Sequence, residues 1–168
     1  MMKTKKGKKE KKIIKMSEID EILKKLKIII PNPPAPVGNY VAYNLIGNII
    51  YISGQLPIDN NGKLIKGEIN NELDLSKGYE AAKLCMLNAL GHLKKAVGNL
   101  DRVNKCIKII GYINANENFE KHPIILNAAS DLLVNIFGER GKHARAVVGV
   151  KSLPLGATLE IESLFEIN

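Results

Sequence analysis

The sequence predicts an α+β domain in which two main helices cover one face of a β-sheet. Three observations predict it. Residues 74–97 and 123–137 carry apolar side chains at helical spacing and are followed by Gly98 and Gly138. Segments within 40–53, 103–113 and 144–167 are rich in β-branched residues and are interrupted by turn residues. The 168-residue chain is 45% hydrophobic and 25% charged, the size and balance of one globular domain.

Taken in order, residues 1–15 hold eight lysines and one Glu, a net +7 of the chain's +8. The basic character therefore belongs to this tail, and residues 16–168 carry only +1. Its composition predicts a disordered extension, with Met16 as an alternative start. Residues 17–29 read as a short amphipathic helix with Ser17 as N-cap and Ile19, Ile22, Leu23, Leu26 and Ile29 in one stripe. Pro31, Pro33, Pro34 and Pro36 then form a stiff connector, so the domains are read as a tail (1–15), a helix and connector (16–35) and a compact body (36–168).

Residues 40–46 and 48–53 read as a hairpin turning at Gly47-Asn48. DNNG at 59–62 is a turn, and 63–69 reads as a short third strand. A long helix starts at Asp74 or Ser76, with Tyr79, Ala82, Met86, Ala89, Leu90, Leu93 and Val97 on its apolar face. Residues 103–113 read as a strand with Gly111 as a bulge. Pro123 fits the first turn of a second helix whose apolar residues are Ile125, Leu132, Leu133, Ile136 and Phe137. Strands at 144–150 and 158–167 close the order β-β-β-α-β-α-β-β. In the last strand Leu159, Ile161, Ser163, Phe165 and Ile167 share one face, and Glu160, Glu162, Leu164 and Glu166 share the other. That second face is either wet or packed against copies of the same sheet, with polar sites in the clefts between them.

Several classes are excluded or disfavoured. No apolar run approaches the ~18 residues of a membrane span. The basic N-terminus lacks the apolar region of a secretory signal. Cys85 and Cys106 sit among apolar neighbours and read as buried thiols, consistent with a reducing, cytoplasmic setting. His92, His122 and His143 share no metal-ligand spacing. With no Trp and 5% aromatics, a nucleic-acid groove is disfavoured apart from weak attraction through the tail.

Arg145 stands just ahead of VVGV in a strand. Its planar fork of donors suits bidentate capture of a carboxylate, and an ordinary surface ion pair is the competing reading. Glu160 follows fifteen residues later on the returning strand, where hairpin spacing permits proximity. It reads as a base for water or as a solvated strand residue. Ser53-Gly54-Gln55 ends a strand, and glycine there lets a ligand approach the backbone. Tyr40 reads as a cleft hydroxyl or an edge-strand packing residue, and Asn127 as exposed or aimed at a site.

Taken together, GNIIYISGQLP, GYEAAKLCMLNALGHLKKAVGNLDRV and ARAVVGVKSLPLGATLEIES resemble the RidA family, also called YjgF/YER057c/UK114 or endoribonuclease L-PSP. The resemblance covers residues 36–168 and implies a chorismate-mutase-like fold with a mixed sheet. It also implies a homotrimer built around a barrel, with ligand clefts between subunits. Well-studied members of that family hydrolyse enamines and imines such as 2-aminoacrylate and 2-iminopropanoate to 2-keto acids and ammonia without a cofactor, so the resemblance implies that activity here. By resemblance, Arg145 in HARAV would hold the substrate carboxylate, and Glu160, first of the two in LEIE, would activate water. Tyr40, Ser53, Gly54 and Asn127 match the remaining binding positions. Val147 stands where the family often has Cys, so only its backbone is available. The N-terminal helix, connector, KSLPLG loop and FEKHPIILNAASDLL helix mark a longer branch of the family. The expected partners are small 2-imino and 2-keto carboxylates and further copies of the chain. The alternatives are a non-enzymatic carboxylate- or partner-binding trimer, an endoribonuclease and, on fold alone, a chorismate mutase.

Overall fold

The structure, a computed structural model, describes residues 17–33, 35, 36 and 38–168. The lysine-rich tail expected at 1–15, Met16, Pro34 and Val37 lie outside the described residues.

Helix α1 spans Glu18–Lys25. The Ser17 hydroxyl accepts a hydrogen bond from the Asp20 N–H, as an N-cap should. The helix stops four residues short of the predicted end. Leu23 O accepts from Ile28 N–H and Lys24 O from Lys27 N–H, the paired bonds of a Schellman turn. That turn places Lys27 at φ +55, where glycine is the usual occupant, so composition gives no stop signal. Leu26 and Ile29 are consequently exposed, whereas Ile19 and Leu23 enter the core.

The core thus draws on residues ahead of Pro36. Asp101 fixes the docking of α1: its carboxylate accepts from Glu18 N–H (3.1 Å) and Ile19 N–H (2.8 Å). Asp101→Ala should cost about 1 kcal/mol, the worth of a lost helix cap. A lower Tm with an unchanged sheet spectrum would be its signature.

Strands β1 (Tyr43–Ile46) and β2 (Ile49–Gln55) form the predicted hairpin around Gly47-Asn48. The third predicted strand is absent. Residues 63–69 make only isolated bridges, among them Lys66 to Ala157 and Ile69 to Ala115. Gly67, at φ +100, turns the backbone between those two bridges before a ladder can form.

Helix α2 (Leu75–Val97) buries Ala82, Met86, Ala89, Leu90, Leu93 and Val97, while Tyr79 stays exposed. Strand β3 (Val103–Asn114) carries its register shifts near residues 103–108 and not at Gly111. Gly111 is instead a close-packing position. A Cβ there would lie 2.8 Å from Leu126 Cδ1 of helix α3 (His122–Phe137). Strands β4 (Ala144–Val150) and β5 (Leu159–Ile167) complete the sheet.

The order is therefore α-β-β-α-β-α-β-β, and the five-stranded sheet runs β1-β2-β5-β3-β4. Among the described strands only β3 and β4 pair in parallel, and α3 supplies the crossover that a parallel pair requires. The last strand lies in the middle. Its alternating pattern buries Leu159, Ile161, Ser163, Phe165 and Ile167 under the helices. Glu160, Glu162 and Glu166 consequently lie on the opposite, half-open face. That outer face also exposes Ile46, Tyr51 and Val148.

Cys85 and Cys106 are both buried and unpaired, and burial pushes the Cys106 thiol up to about 12 and Cys85 well above its ordinary range. No described helix is long and apolar enough to cross a membrane.

Candidate functional site

The sheet sorts the candidate residues into two groups. β4 and β5 are not neighbours as the hairpin spacing suggested, because β3 lies between them. Arg145 pairs with Ile109, which pairs with Ser163, and both of those partners are fully buried under the helices. Arg145 therefore projects on the helix side at the β4 edge. Glu160 pairs with Tyr112 and lies on the outer side. The two are three residues apart along the strands, two strands apart across them and on opposite faces. Their Cα atoms are roughly 14 Å apart on ordinary sheet spacings. Within one chain they do not share a site.

The first group forms around Arg145. Its Nη1 donates to Asn127 Oδ1 at 2.8 Å and to Ser130 Oγ at 3.1 Å, both on α3. Asn127 and Ser130 are three residues apart and so present the same helix face to the strand. Ser130 Oγ is also 3.0 Å from His143 Nε2, and His143 Nδ1 is 2.6 Å from Gly141 O. The carbonyl can only accept, so Nδ1 carries a proton, and in that tautomer of the neutral ring Nε2 accepts from the Ser130 hydroxyl. The Ser130 lone pairs then face Arg145. Nε and Nη2 of Arg145 have no hydrogen-bond partner among the described residues, and no carboxylate there lies within ion-pair distance. Val147 sits on the same strand, partly buried against the core beside Gly111.

The second group surrounds Glu160. Gly54 lies in the irregular end of β2, where the register slips between Ile52 and Gln55. A Cβ on Gly54 would lie 1.8 Å from Glu160 Oε1, so only glycine leaves room for that carboxylate. Burial raises the Glu160 pKa above its ordinary value, and the charge of Glu162 raises it further. Tyr112 Oη lies 3.3 Å from Glu162 Oε1 and donates to it, which holds Glu162 on the same face. The Ser53 hydroxyl donates to Val41 O at 2.7 Å, tying the end of β2 to the chain entering β1. Tyr40 is exposed beside it and walls two cavities. One, of about 680 Å³, reaches Ser53 and Glu162, and the other, of about 330 Å³, reaches Gly54.

Sequence reading missed Ser130, His143, Glu162 and Tyr112. A signal existed for the first two: Ser130 is one helical turn from Asn127, and His143 is one strand repeat from Arg145. Among the described residues, no three His, Cys, Asp or Glu side chains gather to hold a metal ion.

A mixed sheet with helices on one face, a guanidinium at one edge and a half-buried carboxylate across its centre defines a small chorismate-mutase-like α+β protein. Residues 22–166 match the family described as "YjgF/chorismate mutase-like, putative endoribonuclease", and the chain belongs to that family, also called RidA. It is similar to Protein TCP17 of Trypanosoma cruzi, 38% identical over 147 residues covering 87% of this chain and 92% of that protein. It is also similar to a 2-iminobutanoate/2-iminopropanoate deaminase of Capra hircus, 31% identical over 133 residues covering 78% of this chain and 82% of the goat protein. Among solved structures, protein Atu1372 of Agrobacterium tumefaciens superposes with a TM-score of 0.79 at 36% identity, covering 89% of this chain and 93% of that one.

Proposed function

We propose that the protein is a hydrolytic deaminase of reactive 2-imino and enamine acids, acting as a homotrimer. The observation that carries the reading is the state of Arg145. It is anchored through Nη1 alone, and it keeps Nε and Nη2 clear of any described acidic group. A guanidinium held in that way is arranged for a carboxylate from outside the chain. The similarity to the goat deaminase supports the chemistry. The separation of Arg145 from Glu160 supports a cleft between copies, in which one subunit supplies Arg145, Asn127 and Val147 and its neighbour supplies Tyr40, Ser53, Gly54 and Glu160. The β4 edge, which pairs with no further strand among the described residues, and the apolar side chains of the outer face would be the surfaces that meet.

In this reading Arg145 binds the substrate carboxylate and so places the C=N carbon against a water held by Glu160. Glu160 takes a proton from the water as its oxygen adds to that carbon and passes it to the imine nitrogen, which gives a carbinolamine. The carbinolamine hydroxyl then gives up its proton as the C=O bond forms and the C–N bond breaks, and that proton passes to the departing nitrogen, leaving the 2-keto acid and ammonia. Because such imines hydrolyse spontaneously, positioning supplies much of the acceleration required.

The test is release of 2-keto acid and ammonia from enzymatically generated 2-aminoacrylate and 2-iminobutanoate. Acceleration over the spontaneous rate is expected, and a rate equal to the spontaneous one removes the deaminase reading. Ser130→Ala removes one of two Arg145 anchors and should raise KM about fivefold with kcat nearly unchanged, equivalent to about 1 kcal/mol.

A further inference from the structure

We infer that the cavity beside Gly54 seats the side chain of the substrate and selects 2-imino acids bearing a bulky, uncharged, apolar side chain. The inference rests on the deaminase reading and adds the substrate class to it.

The cavity, about 330 Å³, opens between α2 and the end of β2. Ala42, Leu56, Ile58 and Leu155 give it an apolar wall, and among the described residues no Asp, Glu, Lys or Arg lines it. His92 is there too, and burial and the nearby Lys95 lower its pKa, which favours the uncharged ring. The NH2 group of the buried Asn88 is engaged, donating at 3.0 Å to both Leu56 O and Ile58 O. Those bonds fix the loop that forms the wall. Gly54 joins this cavity to the reacting face: it lines the cavity, and the Glu160 carboxylate occupies the space where its Cβ would be. A substituent on a carbon attacked beside Glu160 passes Gly54 and enters the cavity. A methyl group would leave most of that space to water, whereas a branched or aromatic side chain would displace it.

Leu155 is an independent observation. It is 72% exposed at the cavity mouth and has a left-handed backbone at φ +59. Both features are costly for leucine, and such strain gathers where a ligand is held. The turn that imposes it is closed by Gly156 N–H to Leu153 O and Ala157 N–H to Pro154 O. Covering an apolar ligand would put this side chain out of water.

Two measurements test the inference. Isothermal titration compares the stable product acids 4-methyl-2-oxopentanoate, pyruvate and 2-oxoglutarate. Turnover compares imines generated in place from leucine and alanine by an amino-acid oxidase. The branched keto acid should bind at least about tenfold more tightly than pyruvate, the charged one should gain nothing, and kcat/KM should favour the leucine-derived imine by a similar factor. Leu155→Gly suits the backbone, so folding is not at risk, and it should lower the branched-to-methyl ratio severalfold. Ala42→Phe should collapse that ratio by filling the cavity. Pyruvate binding as tightly as 4-methyl-2-oxopentanoate overturns the inference while leaving deamination standing. Selective binding without any accelerated hydrolysis upholds the cavity and overturns the deaminase reading instead.

Discussion

Glu160→Gln is expected to lower kcat for imine hydrolysis about a hundredfold or more, toward the spontaneous rate, since a positioned general base contributes at least that much. The substitution keeps the shape of the side chain against Gly54, so binding of the product keto acids should persist. Two raising influences act on the Glu160 pKa, burial first and the charge of Glu162 second. Activity that needs the carboxylate ionised is therefore lost, as pH falls, above the ordinary range for glutamate. Glu162→Gln removes the second influence and leaves an oxygen to accept from Tyr112, so the acid limb of kcat/KM should move to lower pH. The same shift has a consequence for stability. A carboxyl with a raised folded pKa binds its proton more tightly folded than unfolded, so its ionisation costs stability as pH rises through that pKa. Glu160→Gln should accordingly melt at a higher temperature than wild type at neutral pH while turning over far more slowly. Undiminished kcat in this variant would remove Glu160 from the mechanism.

Much of the fold was legible because its strongest elements repeat a simple period. The alternation of β5 and the apolar face of α2 each name their buried side, and Gly98 marks the end of α2. The misreadings fall where local composition and geometry part. Residues 63–69 look like a strand, yet Gly67 diverts them after single bridges. Helix α1 is closed off by Lys27 in a conformation that lysine seldom takes, so no stop signal is written there. Gly111 is small to admit Leu126 and not to bulge the strand, a distinction that only the packing of α3 on β3 reveals.

The candidate site was legible as a set of residues and not as an arrangement. Motif order carried Arg145, Asn127, Glu160 and Gly54. Which face each occupies depends on strand order, and β4 pairs with β3 in parallel instead of returning beside β5. The fifteen-residue spacing from Arg145 to Glu160 is therefore silent about their separation. Ser130 and His143 became visible only once α3 was laid against β4, because a hydroxyl and an imidazole do not announce that they hold a guanidinium.

Mixing two inactive variants gives the sharpest result for the cleft between subunits. Arg145→Ala alone should abolish saturable turnover, because the substrate carboxylate loses the guanidinium that holds it and orientation with it. Glu160→Gln alone should remove the base. If each cleft takes Arg145 from one subunit and Glu160 from the next, a mixed trimer contains clefts in which both residues are intact. Random assembly of equal amounts places an intact Arg145 beside an intact Glu160 in about one quarter of the clefts of a cyclic trimer. Unfolding and refolding the two variants together should therefore restore about a quarter of wild-type kcat with wild-type KM. The two refolded separately and then combined should stay inactive on the timescale before subunits exchange. The geometry permits no such rescue if both residues must act from the same chain. Failure to recover activity in trimers verified as mixed would thus remove the shared cleft, and the opposite faces of Arg145 and Glu160 would then have to be joined by rearrangement within a subunit.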